Sequence, residues 1–246
     1  MAIPHLSIVI PAHNEEHRLP ATLETIDAFL QTQTYPAEVL VVENGSSDDT
    51  LQIARQYAQR FPYLKVIHED GRGKGLAVRI GMLAASGAYR FICDADLSMP
   101  ISEVNHFIPP LLPDMDIAIA SREAPGAVRY DEPSLRHFTG RAFNTVVRWM
   151  GLHGLQDTQC GFKCFRAEIA EYLFKRQTID GWTFDVEVLF IALKRGYRVV
   201  EIPVPWYYNA ESKVNVLRDS YQVVRDLIKI RLNYLRGLYD APISSR

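Results

Sequence analysis

Short apolar runs alternate with amphipathic helical segments through the first half of the chain, and that order leaves few folds open. Residues 6–11, 39–43, 64–67, 89–94 and 116–121 read as buried strands. Between them, segments near 18–31, 48–61, 75–86 and 102–112 have helical apolar spacing, with Pro and Gly at their edges. Such alternation predicts an α/β fold with a mainly parallel central sheet and helices on both faces. Ligands bind such sheets at the carboxyl ends of the strands, so functional residues are expected directly after each run.

The second half is more helical. Residues 134–152 and 182–195 are helix candidates, followed by a strand at 197–204 and a long amphipathic helix at 215–236. Pro109-Pro110 and Pro113 punctuate a helix end. No repeat, low-complexity tract or linker interrupts the chain, so one domain over 1–246 is expected.

Composition narrows the function classes. With 48% hydrophobic and 23% charged residues, the chain is not of the disordered type. Its 27 basic and 29 acidic residues give a net charge of −2, which disfavours a nucleic-acid binder. Cys93, Cys160 and Cys164 are too few for a disulfide framework. No second Cys/His pair completes a metal site with Cys160 and Cys164, so they read as small buried hydrophobes in a reducing compartment. No signal peptide is visible, and no stretch reaches the ~18–20 apolar residues of a membrane span.

Polar segments follow the strands as expected. Pro11-Ala12-His13-Asn14-Glu15-Glu16 opens a helix, and Asn14 with the acids after it also reads as ordinary capping. Glu43 ends the second strand, where a carboxylate can accept a nucleobase N–H. The Gly45-Ser46-Ser47 turn after it can bring backbone amides to a ligand, or merely cap the next helix. Gly71-Arg72-Gly73-Lys74-Gly75 combines glycines, a lysine and a helix start, which suits an anion. Its spacing is not that of a Walker loop, and a dinucleotide fingerprint belongs after the first strand. Asp94-Ala95-Asp96 follows the fourth strand. Residues two apart on an extended segment share a face, so these carboxylates repel unless a cation lies between them. Hard oxygen donors suit Mg²⁺ or Mn²⁺ bridging a diphosphate. An isolated Asp-x-Asp is otherwise a solvated loop.

The order of these segments resembles glycosyltransferase family 2, of the Rossmann-like GT-A fold. Residues 72–79 (RGKGLAVR), 94–98 (DADLS), 157–163 (DTQCGFK), 182–187 (WTFDVE), 211–213 (ESK) and 230–234 (IRLNY) are similar to its dolichyl-phosphate glucosyltransferase branch. The resemblance implies a nucleotide-sugar-binding half at 1–121, an acceptor-side half at 122–214 and a C-terminal amphipathic helix at 215–238. It implies that Pro11, His13, Glu15 and Glu43 line the nucleoside pocket. Gly45, Lys74, Ala95 and the C-terminal Lys213 join them around the donor. Asp94 and Asp96 would hold the metal and diphosphate, with Asp96 the direct ligand. Arg122 would face the phosphates and acceptor; Arg136 and Arg141 are further candidate cations for an acceptor phosphate. The family's usual Asp-Asp-Gly-Ser is Glu43-Asn44-Gly45-Ser46 here, and the longer Glu43 can still accept the base N–H.

The implied activity is inverting, metal-dependent transfer of glucose from UDP-glucose to a dolichyl or polyprenyl phosphate. A phosphate acceptor is already anionic, so the protein needs cations more than a strong base. Asp157 and Asp185 are the candidate bases or sugar-hydroxyl ligands, and a helix-cap or salt-bridge role is equally open for Asp185. The 215–236 helix carries Arg218, Arg225, Lys229, Arg231 and Arg236 beside an apolar set. It can lie in an anionic membrane interface or pack on the sheet, and residues 141–150, with Trp149, are a second interfacial candidate. The expected location is the cytoplasmic face of a membrane, reached alone or with a membrane-spanning partner. Rival readings are a GDP-mannose or UDP-N-acetylglucosamine donor, a soluble acceptor, and a non-catalytic nucleotide-sugar-binding subunit. A nicotinamide enzyme is disfavoured by the missing fingerprint.

Overall fold

The computed structural model describes residues 3–131, 152, 154–208 and 216–240. Among them, seven strands form one sheet in the order β3-β2-β1-β4-β7-β5-β8. They are β1 (Leu6–Ala12), β2 (Ala37–Asn44), β3 (Leu64–Glu69), β4 (Tyr89–Ile92), β5 (Ile117–Ser121), β7 (Lys163–Arg166) and β8 (Val199–Pro203). All pair in parallel except β7, which runs antiparallel between β4 and β5. A separate two-stranded ribbon pairs β6 (Val128–Tyr130) with β9 (Pro205–Tyr207).

Period-two alternation divides the core between the two faces of the sheet. On β1, Leu6, Ile8 and Ile10 join a cluster with α1 (Leu19–Leu30), α2 (Thr50–Arg60) and a 3₁₀ helix (Ile101–Phe107). Val9 points the other way, into a cluster with α3 (Lys74–Ala84), α4 (Ala167–Phe174), α5 (Phe184–Lys194) and α6 (Val216–Leu235). The predicted α/β architecture is therefore present. The three cysteines are free and buried.

Several details differ from expectation. The 102–112 segment forms a 3₁₀ helix that ends at Phe107. Strand β7, helix α4 and the β6–β9 ribbon were not anticipated. The helix candidate at 134–152 lies almost wholly outside the described residues.

Candidate active site

The loops after β1 and β2 are laced into one wall. His13 donates from Nδ1 to the Asn44 carbonyl at 2.7 Å. The Asn14 amide donates to Ser46 Oγ at 3.0 Å, and Asn14 Oδ1 accepts from the Ser47 amide at 2.8 Å. The Glu15 amide donates to Thr50 Oγ1 at 2.7 Å. Positive φ values of 55° at Asn14 and 64° at Gly45 let both turns close. Asn14 is thus a loop-to-loop tie and caps no helix, because α1 begins only at Leu19. The Glu15 carboxylate holds Arg18 in a two-point pair at 2.6 and 2.8 Å.

Glu43 sits beneath this wall at 1% exposure. Its Oε1 accepts from the Ser46 amide at 2.6 Å and its Oε2 faces His68 Nδ1 at 2.5 Å. Burial alone would raise its carboxyl, but the Ser46 hydrogen bonds and His68 outweigh that and hold it below the usual range. Each carboxylate oxygen has a second lone pair, so a base N–H would share Glu43 with these partners.

At the end of β4, Asp94 Oδ1 lies 2.6 Å from Lys74 Nζ. Burial would lower the Lys74 ammonium, yet Asp94, Asp185 and Asp96 together pull it above its ordinary value. Asp96 Oδ1 accepts from the Ser98 amide at 3.1 Å. Asp94 is backed by Gly161, where a Cβ would lie 2.2 Å from Asp94 Oδ2. Among the described residues no three metal-ligating side chains converge. Two carboxylates still fit a cation of the Mg²⁺ type, which takes one or two from the protein and the rest from phosphate and water. Asp94 Oδ1 is buried and engaged by the Lys74 ammonium, so a cation there would share the carboxylate with that lysine.

The glycine-rich segment works differently from an anion cradle. A Cβ on Gly73 would lie 2.2 Å from the Asp180 carbonyl, and one on Gly75 would lie 2.6 Å from that of Ile179. The Leu76 amide donates to the Asp180 carbonyl at 3.1 Å, so the start of α3 is covered by the 179–181 backbone. Only the Lys74 side chain of this motif reaches the carboxylates.

Arg122 follows β5 and is gripped by Asp157 at 2.6 Å through Nε and 3.0 Å through Nη2. The Arg122 amide adds a third bond to Asp157 Oδ2 at 3.1 Å. Asp157 is fully buried. Burial would raise its carboxyl, but Arg122 dominates and sets it at about 2. A carboxylate so committed holds the guanidinium in place. Asp185, in the first turn of α5, pairs with Lys163 of β7 at 3.1 Å. Its carboxyl is raised by burial, against the pull of Lys163 and Lys74. Asp185 thus makes a salt bridge in the first turn of α5.

The glycosyl transferase family 2 model matches residues 7–174. The chain is 31% identical over 251 residues to a dolichyl-phosphate beta-glucosyltransferase of Dictyostelium discoideum, covering 96% of this chain and 76% of that protein. It is 34% identical over 254 residues to the protein of that name from Drosophila melanogaster, covering 95% and 76%. The chain belongs to glycosyl transferase family 2. The fold of this glycosyltransferase is shared with glucosyl-3-phosphoglycerate synthase from Mycobacterium tuberculosis, solved with Mn²⁺, UDP-glucose and phosphoglyceric acid. That likeness has a TM-score of 0.66 at 18% identity, over 98% of this chain and 81% of that one.

Pro11 and Glu43 stand near the carboxyl ends of β1 and β2, and His13, Glu15, Gly45, Asp94, Ala95, Asp96 and Arg122 lie in the segments that follow strands; Asp157 precedes β7, and Lys74 and Asp185 open α3 and α5. Arg136, Arg141 and Lys213 lie outside the described residues, as does Trp149. Sequence reasoning missed the positioning roles of Gly161 and Lys163. For Lys163 the signal was available: a lysine inside an apolar run needs a buried partner.

Proposed function

We propose that this glycosyltransferase moves glucose from UDP-glucose to a dolichyl or polyprenyl phosphate, with inversion and with Mg²⁺ or Mn²⁺. Identity of 31% and 34% to dolichyl-phosphate beta-glucosyltransferases over nearly the whole chain carries the reading. The geometry is in keeping with it. The wall tied by His13 and Asn14, with Glu43 beneath it, suits the nucleoside, and Asp94 and Asp96 would hold the cation and diphosphate. When bound, the cation supplies Lewis-acid stabilisation of the leaving diphosphate. Arg122, fixed by Asp157, faces the incoming phosphate, with Arg136 and Arg141 as further candidates and Lys213 on the donor side. An acceptor phosphate oxygen forms the new bond to the anomeric carbon as the bond to UDP breaks. That oxygen is already anionic, so the chain need only orient two anions that repel.

A membrane surface is the setting that such an acceptor requires. Helix α6 has two apolar stripes. Val223, Leu227 and Ile230 are buried against the core, whereas Val224, Ile228, Leu232 and Leu235 face outward. Arg225, Lys229 and Arg236 line a shallow groove of about 480 Å³ beside Ile228 and Leu232. Cations beside an outward apolar stripe suit an anionic interface. No helix among the described residues is long and apolar enough to cross a membrane.

The test offers radiolabelled UDP-glucose, GDP-mannose and UDP-N-acetylglucosamine with polyprenyl phosphate and Mg²⁺ or Mn²⁺. Label entering the lipid phase from UDP-glucose alone is expected. Lipid label from another donor reassigns the sugar, and metal-dependent donor hydrolysis without a lipid product reassigns the acceptor.

A further inference from the structure

Trp182 stands beside the carboxylate cluster without belonging to the core. It remains 49% exposed in the turn before α5. Lys74 Nζ lies 5.1 Å from the centroid of its indole, and the same nitrogen contacts Asp94 Oδ1 at 2.6 Å. The ring is therefore one side chain removed from the proposed diphosphate site.

The backbone beneath it is held from several directions. Gly73 and Gly75 admit the 179–181 carbonyls at distances that any Cβ would block. Gln177 Nε2 donates to the Gly75 and Ile179 carbonyls at 2.8 and 2.7 Å. Arg79 pairs with Asp180 at 3.0 Å. Tryptophan has two side-chain torsions, so a fixed backbone and a neighbouring ammonium leave the ring little freedom to lose when a ligand arrives. An indole presents a flat, electron-rich face. The C–H faces of a pyranose are apolar and carry slight positive charge, so they complement it. Charged neighbours alone cannot supply that contact.

We propose that Trp182 is the platform on which the hexose ring of the donor packs, while its diphosphate is held at Asp94, Asp96 and Lys74. This rests on the nucleotide-sugar reading above. Calorimetric titration of wild type, Trp182→Ala and Trp182→Phe with UDP and with UDP-glucose, in the presence of Mn²⁺, tests it. Trp182→Ala is expected to weaken UDP-glucose about five- to tenfold, the worth of one aromatic contact, while UDP, which loses only the ring's contact with Lys74, weakens less than twofold. Trp182→Phe should retain most of the UDP-glucose affinity. If wild type binds both ligands and Trp182→Ala weakens both equally or neither, the platform role is overturned alone. If wild type binds neither ligand, the donor assignment falls and the platform with it.

Discussion

Gly161 and Asp94 are in such close register that one methyl group would separate them. A Cβ at position 161 would fall 2.2 Å from Asp94 Oδ2 and 2.6 Å from its Cγ. Gly161→Ala must therefore push the carboxylate out of its seat. The expected result is a drop in turnover of about 10²-fold, the scale of an ångström-sized misplacement. Thermal melts should shift far less than activity, and an unchanged rate would show that Asp94 is not needed where it stands.

Arg122 and Asp157 separate a positioning role from a proton-transfer role. Asp157→Asn keeps the shape but removes the charge that fixes the guanidinium. It should destabilise the fold by about 1.5–3 kcal/mol, the range for a hydrogen bond to a charged group, and raise the KM for the phosphate acceptor. Denaturant melts and acceptor titrations read the two effects. A loss confined to kcat would instead mark Asp157 as the base.

The carboxylates that follow β4 predict the metal response. Wild-type protein treated with a chelator and Asp96→Ala protein should bind UDP equally weakly, and only the wild type should recover on adding Mn²⁺. Metal-enhanced binding that survives Asp96→Ala would remove Asp96 from the ligand set.

Glu38 predicts how stability depends on acid. Burial would raise its carboxyl, but Lys65, Ser7 and Ser86 outweigh that and lower it from 4.5 to about 2. A depressed carboxyl contributes stability above its unfolded value, and that contribution is lost as pH falls through the folded one. Unfolding free energy should thus decline between about pH 4.5 and about pH 2. Glu38→Gln should flatten that decline while lowering stability at neutral pH, which denaturant melts across the range would check.

Helix α6 predicts vesicle binding. Ile228→Ser with Leu232→Ser alters exposed positions only. The double variant should keep its melting temperature and lose flotation with anionic liposomes. Flotation equal to wild type would exclude this face as the contact.

Much of this fold is legible as a pattern. The five strands of the first half announce themselves as apolar runs, and each is followed by the residues that reach the sheet edge. What stayed hidden depends on distant partners. Strand β7 is only Lys163–Arg166, too short for a period, and its lysine makes sense only beside Asp185. The glycines at 73 and 75 read as part of an anion site because local sequence cannot show that the backbone more than a hundred residues later rests on them. Asp157 reads as a free acid until Arg122 is found wrapped around it.

The reversed direction of β7 has a practical result for how the enzyme can vary. In a purely parallel sheet only segments that follow strands reach the working edge. Here Lys163 pairs with Ile92 and with Ile119, so the stretch leading into β7 arrives at that edge too. Its first member, Asp157, anchors the arginine, and its fifth, Gly161, makes space for the carboxylate. One pentapeptide sets the gap between the two charges. If Asp94 serves the donor and Arg122 the acceptor as proposed, changes there would retune both together, and new acceptor preferences are more readily explored in segments that leave this ruler untouched.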